Sequence, residues 1–451
     1  MATLVSNSVE IQSAALHMDQ YGGGRLPYVC LGANGVELQM WDLARSREVT
    51  VVDASGGYGT ACLGANHPSL ENMLKTGLQQ GYVTDELYSS AREQMLSYLF
   101  GLEGLWADHF PFGRYHVSGR NSGSEGVELA IRLAAEARFN YRKIEKSSRY
   151  GEKDIVLAFE GAWHGWTSGL VPLLNRRHFR LGLVEDSLGP FGLNMQHIPF
   201  GNVDRLQSFF RANGRRILAI LVEPIQGDAG IISPPRGYLS QLRQLADEHD
   251  AILIADEVLT FAKTGRYFAM VEDQVPIRTD ITVIGKSLGF GIVSVSFVIA
   301  RSDLRARTAG AICTSDLRPF TCSLVSKGME YLQTNGLIAS SSSRGKALKE
   351  KLEIDLIRRF PTVFREVRGC GFLIGLELTG MAAPLVEELR RELIESGVYV
   401  EVMAGAGRRT DQSRYIYPTL RIAPPLAISN KNLDTMARSL VIGTKKFVER
   451  Y

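Results

Sequence analysis

The sequence predicts an α/β protein with a large lobe, built on a mostly parallel sheet between helices, followed by a smaller α+β lobe. Three observations carry this expectation. Short unbroken apolar runs recur through the middle of the chain, separated by helical stretches, as expected for strands buried on both faces. The last hundred or so residues change to helices interrupted by brief strand-like runs. At 451 residues the chain can bury a large core and divide into lobes.

The elements follow in order. Up to about Pro68 the chain holds short strands and turns, and residues 1–75 are expected to pack with the small lobe. Residues 76–335 form the large lobe. Within it Asp154–Phe159 and Arg216–Val222 read as strands. Leu239, Leu242, Leu245 and Ala246 fall at helical spacing. Ala251–Ala255, Ile281–Ile284 and the Val/Ile-rich Ile292–Ala300 read as further strands. Residues 336–451 form the small lobe, with helical stretches at Lys346–Phe360 and Pro384–Ser396 and strand-like runs at Gly371–Leu378 and Val398–Val400. The serine run Ser340–Ser343 is too short for a linker and is placed near a helix start.

Composition narrows the function classes. With 51 basic and 48 acidic residues the net charge is +3, and no basic run suggests a nucleic-acid partner. Cys30, Cys62, Cys313, Cys322 and Cys370 are scattered and never form C-x-x-C, which fits a reducing cytoplasm and argues against a disulfide framework or a zinc site. The eight histidines show no metal-ligand spacing. Met1–Gln20 has neither a basic start nor a continuous apolar stretch, so no signal peptide is expected. No apolar run approaches the roughly 18 residues of a membrane helix.

In parallel sheets, ligands bind beyond the carboxyl ends of the strands. Two residues of opposite charge fall at such ends: Asp256 after Ala251–Ala255, and Lys286 after Ile281–Ile284. Gly285-Lys286-Ser287 has the form of a P-loop tail, but Asp280 stands where the first glycine is needed, and its carboxylate would repel phosphate. A merely solvated lysine would have little need of Gly285, Gly289 and Gly291, which let another group approach closely. The third reading is a Schiff base between Lys286 and an aldehyde cofactor acting as an electron sink. Pyridoxal phosphate is such a sink, provided its ring nitrogen stays protonated. An opposing carboxylate such as Asp256 keeps it so.

That cofactor also needs a phosphate site and flat surroundings. Ser118–Gly126 is rich in small polar residues and glycine and leads into a stretch where Val127, Ala130, Ile131 and Ala134 share a helical face. The N–H groups and dipole at such a helix start suit a phosphate, although a simple serine cap explains the same residues. Trp163 and Trp166 follow the strand ending at Phe159; they read either as core anchors or as a stacking surface for a heterocycle. Val258 projects to the same side as Asp256 and could cover the opposite face of a ring.

Taken together, these residues resemble the class III aminotransferases, pyridoxal-phosphate enzymes of fold type I, with a seven-stranded sheet in the large domain. The resemblance runs from about Leu26 to about Asn432, through "GVELQMWD", "VVDASGGYGTACLGANHPSL", "NSGSEGVELAIRLA", "FEGAWHGWTSG", "LVEPIQGDAGIISPP", "LIADEV", "DITVIGKSLGFG", "VRGCGFLIGLEL" and "LRIAPPL". It implies Lys286 as the Schiff-base and proton-transferring lysine, and Asp256 as partner of the ring nitrogen. It implies Gly123 and Ser124 as phosphate donors, Trp163 stacked on the ring with His164 beside it, and Val258 on the other face. Thr314 matches a threonine that reaches the phosphate of a neighbouring subunit, which implies a homodimer with shared active sites. Arg421 matches an arginine that holds a substrate carboxylate, and Glu223 the glutamate that pairs with it otherwise. Gln226 lies in the same loop, either near the cofactor or as a turn-stabilising amide.

Departures from the family pattern concern the reaction more than the cofactor. Leu259 stands where some members place a glutamine, and Ser315–Pro319 replaces a small glycine-containing turn. The expected activity is transfer of an amino group between an amino acid or amine and a keto acid or aldehyde. The other outcome the same residues allow is an aminomutase, an epimerase, or a carbon–carbon bond-forming or eliminating enzyme.

Overall fold

The structure, a computed structural model, describes residues 26–83, 87–175, 189–306, 313–403 and 405–451. The expectation for Met1–Gln20 lies outside the described residues. Strands β1 (Tyr28–Asn34), β2 (Glu37–Asp42) and β3 (Arg47–Asp53) form an antiparallel meander.

The central sheet has seven strands: β4 (Tyr115–Arg120), β5 (Ile155–Phe159), β6 (Asn194–Ile198), β7 (Ile217–Val222), β8 (Ile252–Asp256), β9 (Ile281–Ile284) and β10 (Ser296–Arg301). Their spatial order is β4-β10-β9-β8-β7-β5-β6. Only β10 runs against the rest, antiparallel to both β9 and β4. Every residue of β5, β7, β8 and β9 is buried, because helices cover both faces. On one face α1 (Gly123–Glu136) sets Val127, Ala130, Ile131 and Ala134 against Ile254, Val283 and Val298. On the other, α2 (Val203–Asn213) and α3 (Tyr238–Glu248) set Leu206, Phe210, Tyr238 and Leu242 against Leu157, Ile220 and Leu253.

The run Ile292–Ala300 differs from its expected form. The ladder begins only at Ser296, and Ile292–Val295 lie outside it. Lys286, Phe290 and Gly291 all have positive φ, so the chain turns sharply before re-entering the sheet. Ile292, Val293, Ser294 and Val295 line a cavity instead of meeting a ladder partner. Two helix expectations also shift. Helix α4 spans Leu337–Leu352, beginning ahead of the expected Lys346, and continues as a π turn over Glu353–Ile357; the serine run lies within its first two turns, near the helix start as expected. Helix α5 covers Val386–Glu395.

The C-terminal sheet places β11 (Phe364–Cys370), β12 (Leu373–Leu378), β15 (Thr419–Ile422) and β14 (Glu401–Met403) side by side in that order. Between α5 and β14, β13 (Val398–Tyr399) pairs in parallel with β3, Val398 against Val52 and Tyr399 against Asp53. The first described strands are thus hydrogen-bonded to the last lobe. Among the described residues no helix is long and apolar enough to cross a membrane.

Close approach of α1 to the sheet depends on Gly126. A Cβ there would lie 2.6 Å from Ser296 Oγ and 2.7 Å from Val283 Cγ1. Overpacking of this kind costs about 1–3 kcal/mol. Gly126→Ala is therefore expected to lower the thermal midpoint by several degrees in a calorimetric or circular-dichroism melt.

Candidate active site

The carboxyl ends of β8 and β9, the start of α1 and the loop after β5 converge on a cavity of about 490 Å³. Its lining includes Gly123, Ser124, Trp163, His164, Glu223, Asp256, Val258, Lys286 and Arg421. Nine of the residues expected at the site are therefore brought together. Thr314 is not among them; it is exposed on the turn preceding the helix Pro319–Thr334.

Lys286 leaves β9 with φ of 41°, in the left-handed region that side-chain-bearing residues rarely adopt. Its amine has no hydrogen-bond or ion-pair partner among the described residues. Burial pulls its pKa down to about 8, the Arg421 charge adds to this, and Glu401, Asp256 and Glu223 pull it partly back. Near physiological pH a minor but appreciable share of the amine is neutral and available as a nucleophile or base.

Asp256 is the last residue of β8 and buried. Its Oδ1 accepts from the Val258 N–H at 3.1 Å, and its Oδ2 accepts from His164 Nδ1 at 2.8 Å. Because the carboxylate accepts, Nδ1 carries the proton. His164 Nε2 is then left buried and without a partner among the described residues.

At the start of α1, Ser122 Oγ accepts from the Glu125 N–H at 3.2 Å, and Glu125 Oε2 accepts from the Asn121 N–H at 3.0 Å. This reciprocal cap leaves the N–H groups of Gly123 and Ser124 without acceptors, at the positive end of the helix. A Cβ on Gly123 would lie 2.6 Å from Val258 Cγ1, so only glycine lets the helix start approach the Val258 loop so closely.

Trp163 and Trp166 are stacked, with ring centroids 5.6 Å apart and planes 10° from parallel. Trp166 is 45% exposed, which removes it from the core-anchor reading. The Trp163 backbone N–H donates to Glu223 Oε1 at 2.8 Å, and the Gly227 N–H donates to Glu223 Oε2 at 3.0 Å. Burial raises the Glu223 carboxyl to about 7, opposed by His164 and reinforced by Asp256.

The expected pairing of Glu223 with Arg421 is corrected by this geometry. Both Glu223 oxygens serve backbone N–H groups, and Arg421 is held by Glu401. Arg421 Nε donates to Glu401 Oε2 at 2.8 Å, and Nη2 donates to the same oxygen. Glu401 and Arg421 are register partners on β14 and β15, which puts their side chains on the same face of the sheet. Glu401 Oε1 also accepts from the Tyr58 N–H at 2.9 Å. Gln226 is not among the residues lining the cavity; its Nε2 donates to the Glu160 carbonyl at 3.0 Å, which ties the loop after β7 to the end of β5. Arg318 Nε donates to the Thr314 carbonyl at 3.1 Å, within its own turn.

Sequence reasoning missed Glu401 and Tyr58. The available signal was a glutamate inside the apolar run Val398–Met403, since an acid in a buried strand needs a partner.

The residues present fit pyridoxal phosphate on structural grounds. An unpartnered amine, free helix-start N–H groups, a buried imidazole nitrogen without a partner and an aromatic face all border one cavity. Gly123 and Ser124 would hold the phosphate, Trp163 and Val258 the two ring faces, and Asp256 the ring nitrogen.

Known proteins align with this arrangement. The family described as Aminotransferase class-III matches residues 39–442. Ornithine aminotransferase 2 of Staphylococcus saprophyticus is 30% identical over 438 residues, covering 95% of this chain and 97% of that protein. The mitochondrial ornithine aminotransferase of Oryza sativa is 29% identical over 382 residues, covering 81% of this chain and 75% of its own length. Among solved structures, the ornithine aminotransferase of Toxoplasma gondii superposes with a TM-score of 0.81 at 21% identity, covering 99% of this chain and 97% of that one. An (S)-enantioselective omega-transaminase of Thermomicrobium roseum superposes with a TM-score of 0.79 at 21% identity, covering 98% and 99%.

The depressed Lys286 pKa has a measurable sign. The neutral amine predominates above its pKa, so uptake of pyridoxal phosphate by cofactor-free protein is expected to accelerate as pH rises, with a midpoint near 8. Stopped-flow absorbance from about pH 6 to about pH 10 checks this; a midpoint near the ordinary lysine value of about 10.4 contradicts it.

Proposed function

The chain belongs to the class III aminotransferases and is a pyridoxal-phosphate-dependent transferase, and from that premise we propose that Lys286, Asp256 and the start of α1 carry its reaction. The activity is transfer of an amino group between an amino acid or amine and a keto acid or aldehyde. The observation that supports this assignment of roles most directly is one cavity bordered by both the unpartnered Lys286 amine and the buried Asp256 carboxylate.

When bound, pyridoxal phosphate supplies a carbonyl that condenses with amines and a ring that draws electron density from the carbon beside the nitrogen. Lys286 Nζ takes and returns the proton at the reacting carbons, a role suited to its lowered pKa. The negative charge of Asp256 favours a proton on the ring nitrogen, and the His164 Nδ1–H fixes the orientation of that carboxylate. The N–H groups of Gly123 and Ser124 fix the phosphate end. Glu223 positions Trp163 through the backbone N–H and so sets the aromatic face. Arg421, held by Glu401, borders the substrate side.

The working unit in this reading is a homodimer with shared active sites, in which Thr314 serves the neighbouring phosphate. It is supported by large exposed side chains such as Tyr82 and Tyr88, 90% and 83% accessible. Residues 1–75 belong with the small domain 336–451, and 76–335 form the cofactor domain; the pairing of β3 with β13 supports this division. A cytoplasmic location is supported by the scattered free cysteines.

Amino donors are screened by the absorbance change of the bound cofactor and by amino-group appearance on an added keto acid. Lys286→Ala is expected to retain cofactor binding and to lose at least about a hundredfold in turnover, the usual lower bound for a general acid–base group. Wild-type turnover in that variant would remove Lys286 from the mechanism.

A further inference from the structure

Between β14 and β15 the chain leaves the small-lobe sheet as a hairpin, with Gly407 paired to Tyr415 and Arg408 to Arg414. Both flanking strands border the cavity, through Met403 and Arg421. Arg409 Nε donates to Glu377 Oε1 on β12 at 3.0 Å, which ties the hairpin to its own lobe. Other contacts reach the large lobe. Tyr415 is buried among the apolar residues that cover the α2–α3 face of the central sheet. Thr410 Oγ1 donates to the Ser233 carbonyl at 3.1 Å, and Gln412 Nε2 donates to the Phe200 carbonyl at 3.0 Å. Arg408 Nε donates to Glu160 Oε2 at 2.8 Å, in an ion pair whose side chains are 20% and 27% exposed.

Glu160 opens the loop that carries Trp163 and His164 into the cavity. From Ala162 to Trp166 that loop has no regular structure, so its position is set by the groups that hold it. Two holds come from the loop after β7: Glu223 accepts from the Trp163 N–H, and Gln226 donates to the Glu160 carbonyl. The hairpin supplies a third. The turn at Gly161, with φ of 86°, is packed so closely on it that a Cβ there would lie 3.2 Å from the Ala406 carbonyl oxygen. A partly exposed ion pair such as Arg408–Glu160 adds little to global stability. Its effect is local. It fixes a short irregular segment whose freedom would otherwise have to be removed when a ligand binds.

We propose that Arg408 is a positioning residue for the cofactor and its reaction: through Glu160 it holds the loop that presents Trp163 to the cavity. Through the hairpin it also joins that loop to the strands bearing Met403 and Arg421. The aromatic face and the substrate side of the cavity are thereby fixed to each other across the two lobes. Arg408 does not itself line the cavity, so it acts through Glu160 and not by contact. This rests on the assignment of Trp163 to a face of the cofactor ring and adds the device that sets it.

The test compares Arg408→Gln, Glu160→Gln and the double variant with wild type. Thr410→Ala serves as a control for hairpin attachment, since its bond ends at Ser233 and not at the Trp163 loop. In cofactor-free protein, the near-ultraviolet circular dichroism of the tryptophans is expected to weaken in both single variants, because the stacked Trp163–Trp166 pair loses its fixed setting. In equilibrium titrations the dissociation constant for pyridoxal phosphate is expected to rise about tenfold. In the holoenzyme kcat is expected to fall by a similar factor, with the KM of the amino donor within about twofold of wild type. The double variant loses no more than either single one, as partners in one contact should. Thr410→Ala keeps the wild-type cofactor affinity. If Arg408→Gln does not fold, Glu160→Gln carries the comparison. A purely structural role would lower the thermal midpoint and leave the tryptophan signal and cofactor affinity of the folded variants unmoved. That result overturns the inference, as do losses that multiply in the double variant or an equal loss of affinity in Thr410→Ala. If pyridoxal phosphate leaves the tryptophan fluorescence of wild-type protein unquenched, the ring-face assignment of Trp163 fails, and the cofactor-free comparison still decides whether Arg408 positions the loop.

Discussion

The site depends on holding charges of both signs in one desolvated space at the end of a parallel sheet. Lys286, Arg421, Asp256, Glu223 and Glu401 would each be costly to bury alone, because water no longer screens or solvates them. Their costs are offset in different ways. Arg421 and Glu401 neutralise each other across a strand pair. Asp256 is held by an imidazole N–H and a backbone N–H. Glu223 leans on two backbone N–H groups and is pushed toward its neutral form. Lys286 has no such partner and shifts toward the neutral amine. A second lysine, Lys263, is fully buried beside this region, and burial lowers its pKa in the same way. Both amines are left uncompensated, and what distinguishes Lys286 is that it lines the cavity whereas Lys263 does not.

Backbone packing makes that arrangement rigid. Gly123 admits Val258 to the start of α1, and Gly227 admits Leu259 to the loop after β7, where a Cβ would fall 2.1 Å from Leu259 Cδ2. Both side chains belong to the segment that follows Asp256. The acid, the helix start and the Glu223 loop are therefore locked together by contacts with no spare volume. Glu257, next in sequence, anchors the far end of that segment by accepting from the N–H groups of Ala269 and Met270 at 2.9 Å and from the Thr260 hydroxyl at 2.6 Å.

Several elements are legible in the sequence alone. Buried strands such as Ile217–Val222 and Ile252–Asp256 are continuous apolar runs, because both faces of the sheet are covered. The start of α1 was legible from small residues and periodicity. Ile292–Val295 was misread because Ile292, Val293 and Val295, which line the cavity, have the composition of a buried strand. The union of β3 with β13 was beyond local reasoning, since nothing in either two-to-seven-residue strand names its partner.

The sequence by itself determined the chemistry-bearing pair: Asp256 and Lys286 stand at the ends of strands whose direction follows from the alternation of helices and apolar runs. Only the tertiary structure decided which charges meet. Glu223 and Glu401 are both acids in or beside apolar strands, and either could have answered Arg421 as far as the chain is concerned. The register of β14 against β15 places Glu401 directly opposite the guanidinium, and the loop after β7 turns Glu223 toward backbone N–H groups. Coulomb energy falls with distance in space and not along the chain, so such pairings are fixed by folding alone.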